Sequence, residues 1–326
     1  MTLKTAEWQR DPSNPILPPG RPGSYDSTRC MNPWAIQTGD ELRLYYSGGD
    51  DEGHQRICLA TAPLNRPTEF TRHGAILNPG PPGNFDSLWC VLPLVKKFGD
   101  LWYLYYTGRD NSPSGLQSFW GMGLATSDDG VHFEKHSPFP IITGNQTERF
   151  SMNKGIAGGG TIIEDKKANG TTNYRMYYTL ATGTPDPNDI RVDQEKHCAV
   201  CHSSDGLRWT DHRVVLSPRP DVPSEDAAVA APWVWRDRDR YRMMYCGIGT
   251  RWGFYSMSEA VSQDGYEWDR GEGDANLSMT PSTDHEWESQ MVEYPSIVDE
   301  GDHLRLFYCG NGYGTTGIGT ATARKR

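Results

Sequence analysis

The chain has 326 residues and is 36% hydrophobic, with 35 glycines, 23 prolines, 11 tryptophans and 16 tyrosines. That is the composition of short aromatic strands between tight turns, not of long amphipathic helices. A formal charge of -10 and a pI near 5.4 argue against a phosphate-tracking surface and so against nucleic acid as a partner. The N-terminal stretch has no apolar signal core and no apolar run reaches about 18 residues, so neither export nor a membrane span is expected and a cytoplasmic location is.

The N-terminal segment AEWQRDPSNPIL resembles VHFEKHSPFPII and EFTRHGAIL further along the chain. Both of those read as outer strands that close a repeated unit. The first full unit, about residues 24–73, opens with Tyr25-Asp26-Ser27 and Arg29, passes Pro33, and continues through the aromatic run DELRLYYSGG, the strand ICLATAP and Phe70. The second, about 84–136, repeats that order as Phe85-Asp86-Ser87, Trp89, Pro93, GDLWYLYYTGR with Arg109, MGLATSDDG and Phe133. The third, about 149–212, has Phe150-Ser151, Asn153 and Lys154, then Gly158 to Gly160 where the proline would stand, and the insertion EDKKANGTTN. It ends through NYRMYYTLATG, CAVCHSSDG and Trp209. The fourth, about 224–270, runs from Ser224-Glu225-Asp226 through Pro232, RYRMMYCGIG, Arg251 and SEAVSQDG to Trp268. The fifth, about 286–326, contains Trp287-Glu288-Ser289, Glu293-Tyr294-Pro295, DHLRLFYCGNG and Tyr313, and stops at GIGTATARKR with no room for an outer strand.

In four units the proline precedes the first residue of the central pair by 12 positions, as Pro33 does Tyr45 and Pro295 does Phe307. Repetition of this kind predicts an all-β, five-bladed β-propeller of four-stranded antiparallel blades in a single domain, 1–326. Residues 5–11 supply the missing strand of the last blade, with Trp8 completing the set Phe70, Phe133, Trp209 and Trp268. Such closure covers an edge that would otherwise stay unpaired.

In a propeller the first strands surround the axis, so the segments before each proline and the loops after each aromatic run share one face. A small-molecule site is expected there. Asp26, Asp86, Glu225 and Glu288 recur at one repeat position; they read either as turn fasteners or as an acidic rim suited to polyols or a calcium ion. The symmetry-breaking residues Arg29, Arg109, Lys154, Arg251 and Glu293 are the better chemical candidates, and Trp89, Asn153, Tyr294 and Tyr313 belong to the same face. Glu293 replaces the apolar or small residues Met31, Val91 and Ala230 of the other units.

Seven cysteines, an odd number, fall partly at equivalent repeat positions and read as small buried side chains rather than disulfides. Cys198-x-x-Cys201-His202 copies the haem attachment pattern but sits within a strand of the repeat. Nine histidines show no zinc-like spacing, so no cofactor is expected apart from a structural calcium ion in the channel.

The motifs FDSLWCVLPLV, WYLYYTGRD, GLATSDDGVHF and DPSNPIL resemble the five-bladed glycosidase superfamily that includes glycoside hydrolase families 32, 43 and 130. The resemblance implies a small carbohydrate substrate and a pair of carboxylates. Glu293, in a Glu-x-Pro like that of the family 43 acid, is the implied acid, with Asp26 or Asp86 as base or nucleophile. The cationic residues also suit a phosphorolytic or acidic-substrate variant. Asn32, Trp34, Leu92 and Leu94 stand where family 43 places an aspartate. A second reading therefore stays open: a recruited propeller that binds or processes a small polar metabolite without glycosidase chemistry. A protein-interaction propeller is disfavoured, because the aromatics fall at strand positions.

Overall fold

The computed structural model describes residues 3–4, 7–110, 121–143, 155–166, 170–182 and 195–325. The fold is all-β and propeller-like. The chain opens with the short strand β1 (Gln9–Arg10) and then lays down successive antiparallel groups. These are β2 (Arg29–Thr38), β3 (Glu41–Gly49), β4 (Gln55–Pro63) and β5 (Thr71–Leu77); then β6 (Trp89–Phe98), β7 (Leu101–Arg109), β8 (Gly121–Ser127) and β9 (Glu134–Lys135). They are followed by β10 (Gly155–Lys166), β11 (Thr172–Thr182), β12 (Glu195–Ser203) and β13 (Thr210–Leu216), and by β14 (Ala228–Asp237), β15 (Arg240–Ile248), β16 (Tyr255–Ser262) and β17 (Leu277–Met279). The last group is β18 (Glu293–Asp299), β19 (His303–Cys309) and β20 (Ile318–Arg324), with one helical turn, α1 (Asn311–Gly314), before β20. Strands β2 to β9 count as one eight-stranded sheet because Gln55 and Trp89 pair between β4 and β6.

The last group is completed by β1: Gln9 pairs with Thr322 and Arg10 with Ala321, and Trp8 is buried in one core cluster with Leu304, Leu306 and Tyr308. In the fourth group the outer strand is β17, beyond residue 270, whereas the expected YEWDR segment contributes a single bridge, Val261 to Asp269. The physical reason lies in its sequence, where the Gly271 and Gly273 turn delays the return of the chain.

The spacing between proline and aromatic run is a hairpin register. The residue after each proline pairs with the first residue of the central pair: Trp34 with Tyr45, Leu94 with Tyr105, Trp233 with Met244 and Ser296 with Phe307. That aromatic then receives the outer segment of the next unit edge-on. Phe133 meets Tyr45 at 6.3 Å, Trp209 meets Tyr105 at 5.9 Å, Trp268 meets Tyr177 at 6.1 Å, and Phe70 meets Phe307 at 6.0 Å. Trp8 shares a core cluster with Met244, the equivalent position of the fourth unit. Edge-to-face pairs of this kind add about 0.5–1.5 kcal/mol each beyond area burial. The tyrosine hydroxyls go further, donating to the carbonyls of Gly130, Gly206 and Gly265 in the Ser-x-Asp-Gly and Ser-Asp-Gly turns of the next unit.

All seven cysteines are buried free thiols. Among the described residues no helix is long and apolar enough to cross a membrane.

Candidate active site

The site begins with a repeated backbone irregularity. Each first strand breaks register at its proline, and the residue before the proline adopts positive φ: Asn32 (51°), Leu92 (57°), Ala231 (50°) and Tyr294 (58°). A bulge re-aims a side chain, and positive φ costs a non-glycine residue about 1–3 kcal/mol. The third unit, which has no proline, places Gly159 there with φ 62°. In the four units with a proline, the preceding unit pins the bulge. Ser47 Oγ accepts the Leu92 N–H at 3.0 Å, Thr179 Oγ1 the Ala231 N–H at 2.8 Å, and Cys246 Sγ the Tyr294 N–H at 3.2 Å. The Asn32 N–H in turn faces the Cys309 sulfur. Two of the cysteines therefore do the work of a serine or threonine.

The bulged strands wall a cavity of about 150 Å³. Arg29 and Asn32 come from β2, Trp89 and Leu92 from β6, Lys196 from β12, Tyr255 from β16, Tyr294 from β18 and Tyr313 from α1. Among the described residues lining it there is no carboxylate. Glu293 lies just behind the wall at the start of β18, fully buried, with Oε1 3.6 Å from Cys309 Sγ and Oε2 without a hydrogen-bond partner. Burial pushes its carboxyl well above the usual range, against the pull of Cys309, Lys196 and Arg29. Burial lowers Arg29 and Lys196 from their ordinary values, and Glu293 is the charge that opposes this in both. The Lys196 ammonium donates to the Tyr255 hydroxyl at 3.0 Å, and the Tyr255 ring contacts Tyr294 at 6.2 Å and Tyr313 at 6.1 Å.

Of the residues singled out from sequence, Arg29, Trp89, Tyr294 and Tyr313 line the cavity and Glu293 backs it. Arg109 lies over the Trp89 ring at 4.4 Å. Arg251 is half-exposed, paired with Asp274 and stacked on Trp252, and does not line the cavity. Asn153 and Lys154 lie outside the described residues.

Asp26, Asp86, Glu225 and Glu288 do not line the cavity either, and they form no acidic rim. Each is buried in its own clamp with the tyrosine 20 residues later: Tyr46, Tyr106, Tyr245 and Tyr308. A cation completes each clamp: Arg72 on Asp26, Lys135 on Asp86, Arg219 and Arg270 on Glu225, and Arg10 on Glu288. Burial opposes ionisation of Asp26, but hydrogen bonds from Tyr46, Ser24 and Arg72 hold its carboxyl below the usual range. In the third unit the Tyr178 hydroxyl meets His212 Nδ1 at 2.9 Å instead.

Lys196 and Tyr255 were missed from sequence. They occupy the third-strand position of Gln55, two residues before the one that pairs with the Ser, Thr or Cys anchor. Neither this position nor its immediate neighbours repeat from unit to unit, so strand pairing is what finds them.

No family model matches the chain. It is 30% identical over 300 residues, 87% of its length and 88% of the relative's, to "Uncharacterized protein Rv1502" of Mycobacterium tuberculosis (strain ATCC 25618 / H37Rv). "Uncharacterized protein MT1551" of Mycobacterium tuberculosis (strain CDC 1551 / Oshkosh) matches at the same identity and coverage. Among solved structures, a glycosyl hydrolase from Bacteroides ovatus superposes with a TM-score of 0.73 at 16% identity, covering 99% of this chain and 97% of that one. A structure described under the GH130 family of mannoside phosphorylases, with glycoside hydrolases that target beta-1,2 mannosidic linkages in Candida mannan, gives 0.71 at 16% identity over 99% and 97%. A thermostable family-43 glycoside hydrolase gives 0.62 at 17% identity over 90% and 88%. At these identities the likeness shows the fold, which is that of the glycosidase propellers.

Proposed function

We propose a function for the family of the Mycobacterium tuberculosis protein Rv1502, to which this chain belongs: glycoside-active enzymes that take a small sugar or glycoconjugate at the axis of a propeller. Five blades closed by β1 are part of this reading, supported by the aromatic and N–H contacts that run from unit to unit. Seven buried free thiols suit a reducing, cytoplasmic setting.

Glu293 is the general acid of the reading. Cleaving a glycosidic bond requires a proton on the leaving oxygen, and a carboxyl whose pKa is raised by burial keeps its proton to higher pH than an exposed one. The single observation behind this role is the buried Glu293 carboxyl, with Oε2 unpartnered, beside two cavity cations. Asp26 and Asp86 hold clamp cations, so neither is assigned as base or nucleophile. A transferase or phosphorolytic variant fits the remaining groups, since a bound oxyanion that attacks the anomeric carbon removes the need for a second carboxylate. Arg29 and Lys196 are the groups to hold it.

Turnover of a glycoside panel, with and without inorganic phosphate, tests the reading through folded Glu293→Gln. Loss of turnover supports it, and unchanged turnover removes Glu293 as the acid. The lack of a lining carboxylate among the described residues favours one second reading, a ligand-binding propeller without glycoside chemistry. Inactivity across the panel together with ligand-induced thermal stabilisation identifies that case.

A further inference from the structure

The cavity wall is chemically divided. Arg29 and Lys196 both lie within electrostatic reach of Glu293, so the two cations share one end. The Arg29 guanidinium makes no hydrogen bond to the described residues, and the charge described beside it is the buried Glu293. Elsewhere the wall is mainly apolar, built from Met31, Val91, Leu92 and Ala230 and the Tyr294 and Tyr313 rings, with Asn32, Gln55 and Thr179 as its neutral polar side chains. Leu92 is the telling member. It holds positive φ at a bulge where the first unit carries Asn32, which tolerates that conformation better, and its side chain covers Gly158 and Gly159. The bulge thus presents an apolar surface at a place where a polar side chain also fits.

Resting on the glycoside reading above, we propose that the ligand of this cavity is an anionic glycoside with an apolar aglycone. Its oxyanion lies against Arg29 and Lys196, and its apolar group lies against Leu92, Met31 and the Tyr294 and Tyr313 rings. Tyr255, hydrogen-bonded to Lys196 and in contact with both tyrosines, couples the two ends. The shared chemistry of the charged end is an oxyanion, carried either by the sugar or by free phosphate bound beside a neutral one.

Direct binding measurements test this without turnover, so their outcome is separable from the role of Glu293. The probes are matched 4-nitrophenyl and methyl glycosides of glucose, mannose, galactose, glucuronate and galacturonate. The expected result is that, in at least one sugar series, the nitrophenyl member binds about tenfold tighter than the methyl member. Leu92→Asn, a residue the same bulge already accepts at Asn32, is expected to remove most of that preference by weakening the nitrophenyl member more than the methyl member. Arg29→Gln is expected to abolish the advantage of uronides over neutral sugars and to keep the nitrophenyl preference. Inorganic phosphate that competes with a uronide places the anion on the sugar, whereas phosphate that strengthens neutral nitrophenyl glycosides makes phosphate the anion. Equal binding of methyl and nitrophenyl members by the wild-type protein overturns the proposal. So does absence of binding across the panel, or a Leu92→Asn loss that falls equally on both members.

Discussion

The Lys196 ammonium donates a 3.0 Å hydrogen bond to the Tyr255 hydroxyl, tying the third strand of one unit to that of the next at the cavity wall. Its positive charge is thereby held near Glu293 without forming an ion pair with it. Burial raises the carboxyl's pKa, and its Oε2 is left without a hydrogen-bond partner.

Glu293→Gln is expected to lower kcat/KM on the best glycoside of the panel by about 10²- to 10⁴-fold, the usual contribution of general acid catalysis. The denaturation midpoint should hold or rise, because the amide is neutral at every pH and avoids the desolvation penalty of a buried carboxylate. Steady-state kinetics and urea denaturation on the same preparation check both halves.

Stability should depend on pH through two carboxyls of opposite sign. The pKa of Glu293 is raised on folding, so its contribution is complete below the ordinary value of 4.5 and is lost as pH rises through the folded value. Wild type should therefore lose stability relative to Glu293→Gln as pH rises from about 4.5 towards the raised folded value. Asp26 is held low, so its contribution is present above the ordinary value of 3.8 and is lost as pH falls. Asp26→Asn should flatten the acid limb alone. Urea denaturation at a series of pH values reads both slopes.

Trp8→Ala should destabilise the protein by about 3–5 kcal/mol, the range for losing a buried tryptophan. Trp8 is 6% exposed and sits in the core that joins the two ends of the chain. Gln9→Ala, an exposed neighbour in β1, should change stability by less than about 0.5 kcal/mol. Chemical denaturation distinguishes them, and equal small effects would mean that closure by β1 contributes little.

Gly159→Ala should cost about 1–2 kcal/mol, since the φ of 62° disfavours any Cβ and a Cβ there would stand 3.2 Å from Leu92 Cδ2. Asn32→Gly, at the equivalent bulge, should be nearly neutral because glycine takes that conformation freely. Thermal denaturation of the pair separates backbone strain from simple disturbance of the cavity.

Hairpin register and closure were legible because both are local or repeated signals: a 12-residue offset from proline to aromatic, and a terminal segment that copies an outer strand. The clamp carboxylates were not. Whether Asp26 faces a cavity or a cation depends on Arg72, 46 residues away on the outer strand, and Glu288 depends on Arg10 at the other end of the chain. Glu293 stood out because it breaks the repeat at a position otherwise apolar or small. Lys196 did not, since its position varies in every unit and only strand pairing shows that it faces the cavity.

The bulges have a consequence for how such a protein diversifies. Because the preceding unit pins the backbone N–H of the displayed residue, Asn32, Leu92, Ala231 and Tyr294 are four sockets of nearly one shape holding four different plugs. Exchanging a plug alters what the cavity recognises and leaves the sockets standing, so new specificity can arise one side chain at a time on an unchanged frame.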